Sequence, residues 1–98
     1  MLQAAPLPEL GTLLSAGPGT ETYDAWMDSL PDRDTRILYN FWAHRYIRRA
    51  DISGSVPDMQ AWDDAVQTEG FSSTNARRDA ANAAMSLLRW ISGQERTA

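Results

Sequence analysis

The stretch TRILYNFWAHRYIRR, residues 35–49, decides how this chain folds. Its large apolar residues cover nearly the whole circumference of a helix, whereas an amphipathic surface helix would leave one half polar. The pattern therefore predicts a central helix that packs on several sides or that also faces a partner. Asp32 or Asp34 is the predicted N-cap of this helix, because a short carboxylate can accept a hydrogen bond from the first free backbone N–H groups.

Turn signals before this stretch predict two further helices. Pro8 suits the first turn of a short helix, which Gly17-Pro18-Gly19 ends. Thr20 is then a predicted N-cap, and Pro31 ends the second helix.

The residues after the stretch predict two more helices. Ser55-Val56-Pro57-Asp58 resembles a variant capping box, and Gly70 suits the residue that follows a helix end. The last helix is predicted to begin near Ser72 or Ser73, to run to Ile91 and to be closed by Gly93. Its apolar stripe consists of Ala80, Ala81, Ala84, Leu87, Leu88 and Ile91, flanked by Ala83 and Trp90. Such small residues allow another helix to approach closely.

These signals predict an all-α fold, a compact bundle of four to five helices in a single domain. Residues 1–19 form the short N-terminal helix and its turn, residues 20–93 the helical core, and residues 94–98 a frayed tail.

Composition excludes several classes of chemistry. The 98 residues contain no cysteine and a single histidine, and all nine basic residues are arginine. Disulfides, sulfur-ligated metal sites and lysine Schiff bases are therefore excluded. His44 has no carboxylate one helical turn away to orient it, so we expect no catalytic residue. Together with the composition, this predicts a non-enzymatic protein with no metal site and no cofactor.

Charge and hydropathy limit the location and the partners. The formal net charge is −4, which gives no long-range attraction to nucleic acid or anionic lipid. No basic leader and no apolar run of about 20 residues is present, so we expect no membrane association and a cytoplasmic location, or the host cytoplasm for a viral protein.

Aromatic residues and arginines are the side chains that favour protein interfaces. We expect the protein to dock on a larger protein assembly, as an accessory or regulatory protein of a phage or mobile element or as a small subunit of a complex. A homodimer is a further alternative. The predicted anchors are Tyr39, Trp42, Tyr46 and Trp62, with a polar rim of Arg45, Arg48 and Arg49.

The alternative function is nucleic-acid binding by an arginine patch, which the net charge disfavours. The patch would consist of Arg45, Arg48, Arg49, Arg77 and Arg78. Residues 74–78, TNARR, followed by residues 87–91, LLRWI, resemble the last helix of the core-binding domain of tyrosine recombinases, and this resemblance implies an arginine-based contact with DNA. The chain departs from that family in the spacing between the arginines and Trp90 and in its acidic charge, and it lacks the family's catalytic domain.

Overall fold

A computed structural model of the protein describes residues 7–97, and the side chains of residues 7–93. Within this range the chain forms five α-helices and no strand, which confirms the all-α prediction. The helices are α1 (Leu10–Leu14), α2 (Glu21–Ser29), α3 (Arg33–Ser53), α4 (Met59–Thr68) and α5 (Thr74–Thr97). Helix α3 is central, because it packs along α5 and also contacts α1.

Short polar side chains start four of the helices. Thr20, Asp32, Asp58 and Ser73 each accept a hydrogen bond from the backbone N–H three residues later, over distances of 2.8 to 3.2 Å. The predicted caps at Thr20 and Asp32 are confirmed. The capping box predicted from Ser55 is wrong, because Asp58 caps α4 and Pro57 lies before the helix.

Glycines in the left-handed region end α3 and α4. Gly54 has a φ of 75° and donates its N–H to the carbonyl of Ala50. Gly70 has a φ of 100°, and the N–H of the following residue, Phe71, bonds back to Val66 at 3.1 Å. This pattern is a Schellman motif, and it directs Phe71 back toward α3.

Three helix boundaries differ from the prediction. Helix α1 begins at Leu10, after Pro8, and α3 continues beyond Arg49 to Ser53. Helix α5 continues through Gly93 to Thr97, because a single glycine inside a helix costs only about 1 kcal/mol and does not end it. Residues 94–97, part of the predicted tail, are thus helical, while residues 1–6 and 98 lie outside the described residues.

The core forms where α4 and α5 meet α3. Ala80, Ala83 and Ala84 are buried on α5, and the indole N–H of Trp62 donates to the carbonyl of Ala80 at 2.9 Å. Helix α4 thus packs closely on the alanine stripe of α5, as the small residues predicted for a neighbouring helix. On the other side of α5, the indole N–H of Trp26 donates to the hydroxyl of Ser86 at 3.0 Å. Helix α3 turns Ala43, Tyr46 and Ala50 toward this core, and all three side chains are fully buried.

Candidate functional site

Three of the four predicted anchors lie in the core. Trp42, Tyr46 and Trp62 are 4%, 0% and 1% exposed, respectively. The hydroxyl of Tyr46 donates to the carbonyl of Pro57 at 2.7 Å, and the Trp62 ring meets the Tyr46 ring edge to face. The prediction that these three side chains contact a partner is therefore corrected, because the small core needs their volume and the fold covers them.

Tyr39, the fourth predicted anchor, is half-buried. Its ring stacks on the buried Trp26 ring, with centroids 6.2 Å apart and an interplanar angle of 22°. Tyr39 therefore belongs to the edge of the core and presents only part of its ring to solvent.

The exposed apolar residues of α3 lie on its other side. Ile37 is 58% exposed, Phe41 41% and Ile52 68%, and Leu38 is exposed beside them. Together with the three arginines of this helix they form the outer face of α3, which consists of Ile37, Leu38, Phe41, Arg45, Arg48, Arg49 and Ile52. These apolar residues were not among the predicted anchors. Their signal was the apolar coverage of the whole helix circumference, which exceeds what one buried stripe can hide.

Arg45 is held in place at the middle of this face. Its guanidinium carbon lies 4.3 Å from the centroid of the Phe41 ring and 5.3 Å from that of Phe71. One guanidinium nitrogen lies 3.5 Å from a carboxylate oxygen of Glu69, at the end of α4. The aromatic faces and the carboxylate attract the same cation from different sides, so the Arg45 side chain is more restricted than a free surface arginine.

An open groove of about 730 Å³ runs along the outer face. All three predicted rim arginines line it, together with Phe41 and Ile52. The remaining lining residues are Asn40, His44 and Glu69. The helical spacing of the three arginines, at positions 45, 48 and 49, thus brings them to one concave surface.

Arg77 and Arg78 do not line this groove. The guanidinium of Arg77 donates two hydrogen bonds to the carboxylate of Asp63, at 2.9 and 2.8 Å. These bonds and the opposite charge lower the pKa of Asp63 and raise that of Arg77. Arg78 lies 4.0 Å from the carboxylate of Asp79. Arg77 is therefore engaged by Asp63 of α4. The expected patch of five arginines does not form, because three of them line the groove on α3 and the other two lie at the start of α5.

His44 is exposed at the edge of the groove, where its ring meets that of Tyr23 edge to face. The Tyr23 hydroxyl donates to the side-chain oxygen of Asn40 at 2.6 Å. Burial, with a contribution from the charge of Asp24, raises the pKa of Tyr23 to about 12. Tyr23 thus contacts two residues that line the groove, Asn40 and His44, from the side of α2.

Among residues 7–93, no three histidine or acidic side chains come together as a metal-binding group. None of the helices in the described range combines the length and the hydropathy that crossing a bilayer requires.

No family model, no curated protein and no solved structure matches the chain.

Proposed function

We propose that the protein is a non-enzymatic docking protein that binds a larger protein assembly through the outer face of α3. One observation carries the proposal: the central helix leaves four large apolar side chains in water beside three arginines. Ile37 and Phe41 lie one helical turn apart with Leu38 beside them, so three of the four form one exposed apolar patch. Such patches are typical of interaction sites, and aromatic and arginine side chains contribute most to binding at interfaces.

The charge of the outer face indicates an acidic partner. The chain carries a net charge of −4, yet this face presents three cations. Among the described residues, Arg48 and Arg49 make no ion pair, whereas Arg45 pairs with Glu69. A complementary negative surface would be attracted to these arginines and oriented by them.

In this proposal the biological role is that of an accessory or regulatory protein of a phage or mobile element, or of a small subunit of a complex, acting in the cytoplasm. The small size and acidic charge of the chain support that class of role. The protein would gain its affinity for the partner by burying Ile37 and Phe41 at the interface. The arginines would fix the orientation of the bound partner.

Affinity capture with matched variants tests the proposal. The double variant Ile37→Ser/Phe41→Ser removes the apolar part of the outer face, and Leu14→Ser changes an exposed apolar residue on α1 as a control. We expect a specific protein to be retained by the wild type and by Leu14→Ser, and its yield to fall at least about tenfold with the double variant. Equal capture by all three proteins, each shown to be folded by circular dichroism, would contradict the proposal.

Nucleic-acid binding is the second candidate, and the convergence of three arginines on one groove favours it. Three contacts between arginine and phosphate predict a slope of about −2.7 for log affinity against log salt, or about a 40-fold loss between 50 and 200 mM salt. Fluorescence anisotropy with a labelled DNA duplex measures this slope, and Arg48→Ala/Arg49→Ala should weaken the binding. Affinity that does not change with salt would exclude this function.

A further inference from the structure

The Glu69 carboxylate shows where an acidic group can bind in the groove. It approaches Arg45 at 3.5 Å, and the two side chains are 42% and 37% exposed. An ion pair this open to solvent contributes little to stability, so another carboxylate can replace Glu69 at small cost. The rings of Phe41 and Phe71 keep the Arg45 guanidinium in position during such an exchange.

Arg48 and Arg49 extend this position along the helix. They follow Arg45 by three and four residues, so all three cations lie within about one helical turn of one another. A partner segment that matches them needs two or three carboxylates within one of its own turns. Apolar side chains flank the arginines on both sides, with Phe41 before them and Ile52 after them.

Backbone hydrogen bonding favours a helical partner segment. The described residues form helices and connecting turns, with no strand edge to which an extended peptide could pair. An extended segment would therefore find no strand edge to pair with in this part of the chain, whereas a helix satisfies its own backbone. From Ile37 to Ile52 the outer face is about 22 Å long, which corresponds to about 15 residues of a partner helix.

We infer that the outer face of α3 binds an acidic amphipathic helix of the partner protein, with one carboxylate of that helix replacing Glu69 on Arg45. This inference rests on the proposed docking function. Two further carboxylates bind Arg48 and Arg49, and the apolar residues of the partner helix cover Phe41 and Ile52. Glu69 thus acts as an internal competitor that occupies the arginine until the partner arrives.

Two labelled peptides test the inference. The first is a capped helical peptide of fifteen residues with leucines and glutamates along one face, and the second has glutamine in place of every glutamate. Fluorescence anisotropy should show that the wild-type protein binds the glutamate peptide at least about tenfold more tightly than the glutamine peptide. Equal affinities for the two peptides, or no binding of either, would overturn the inference.

Protein variants assign the peptide binding to this groove. Arg48→Ala/Arg49→Ala should weaken binding of the glutamate peptide about tenfold, and Arg89→Ala, an exposed arginine on α5, should leave it unchanged. Glu69→Gln should strengthen binding about two- to threefold, because the competing carboxylate is removed. Unchanged or weaker binding by Glu69→Gln would refute the competition with Glu69.

The outcomes separate this inference from the docking function. If capture of a protein depends on Ile37 and Phe41 but the glutamate peptide shows no preference, the acidic helix is wrong and docking stands. If capture does not depend on those residues, the docking function itself is wrong. A DNA duplex that displaces the glutamate peptide at equal concentration would assign the arginines to phosphate and overturn the inference.

Discussion

Arg77 and Asp63 join the start of α5 to the middle of α4 through two parallel hydrogen bonds. A fork of this kind fixes both the distance and the orientation of the two side chains. The side-chain amide of Gln67 donates a further bond to the same carboxylate at 3.0 Å. Asp63 therefore acts as a structural acceptor that links α4 to α5.

This ion pair predicts a loss of stability in acid. The hydrogen bonds from Arg77 hold the pKa of Asp63 below its ordinary value, so the folded state binds the proton less readily than the unfolded chain. The contribution is present at neutral pH and is lost as the pH falls from about 4, the unfolded value, through the folded pKa. Urea unfolding between pH 5 and pH 3 should show a shallower pH dependence for Asp63→Asn and for Arg77→Gln. A slope equal to that of the wild type in both variants would contradict the assignment.

Trp42 and Ile37 differ in role although both are large apolar residues of α3. Trp42 is buried against Trp62 and Phe71, so Trp42→Ala should cost about 3–5 kcal/mol of unfolding free energy. Ile37 is largely in water, so Ile37→Ser should change the free energy of unfolding by less than about 0.5 kcal/mol. Urea denaturation followed by circular dichroism measures both. A loss of less than about 1 kcal/mol of unfolding free energy for Trp42→Ala would mean that Trp42 is a surface residue after all.

At the scale of the helices, two glycines differ in whether their backbone conformation would accept a residue with a side chain. Gly70 has a positive φ and Gly93 lies inside α5, and a Cβ atom would meet no neighbour at either position. Both sites therefore have room for a Cβ atom, and they differ only in backbone conformation. Gly70→Ala should destabilise the protein by about 1–2 kcal/mol, while Gly93→Ala should stabilise it by about 0.5–1 kcal/mol.

Thermal unfolding should therefore show a lower Tm for Gly70→Ala and a higher Tm for Gly93→Ala. A decrease in Tm for both would mean that Gly93 serves a purpose other than continuing the helix. An increase for both would mean that the turn at Gly70 tolerates a side chain.

Local chemistry explains which features of the helices could be predicted from the sequence. Thr20, Asp32 and Gly70 act through hydrogen bonds or φ angles within a few residues, so their roles were readable without the tertiary structure. The side of α3 that faces the core could not be predicted, because the helix carries apolar residues around nearly its whole circumference. Its orientation depends on packing against α5, whose buried alanines lie thirty or more positions from the buried residues of α3 in the sequence.

The same limit explains the outcome for the site residues. Tryptophan and tyrosine are enriched both at interfaces and in small cores, so residue type alone favoured Trp42, Tyr46 and Trp62 as anchors. The three arginines of α3 could be grouped correctly because they share one helix. The engagement of Arg77 by Asp63 depends on how two helices pack, and no local pattern indicated it.

For the molecule as a whole, the distribution of charge argues against self-association through the outer face. A symmetric dimer places the same surface of both copies around one axis. Here an axis near the middle of the face would bring Arg45 of one copy close to Arg45 of the other. Like charges that face one another at an interface are destabilising.

Light scattering during size-exclusion chromatography should therefore give a mass near 10.9 kDa, the mass of one chain. Absorbance at 260 and 280 nm recorded in the same run should show no excess nucleic acid. A dimer that Ile37→Ser dissociates would assign the outer face to a second copy. Co-eluting nucleic acid that high salt removes would favour the arginine groove as a phosphate site.

If the outer face of α3 contacts a protein, site-specific photo-cross-linking from that face will trap the protein. A photoreactive amino acid is placed at position 37 on the outer face and, as a control, at position 82, where Asn82 is exposed on α5. We expect one discrete protein adduct from position 37 and none from position 82, identified by mass spectrometry after irradiation in cells of the source organism. Equal adducts from both positions, or adducts to nucleic acid alone from position 37, would contradict this expectation.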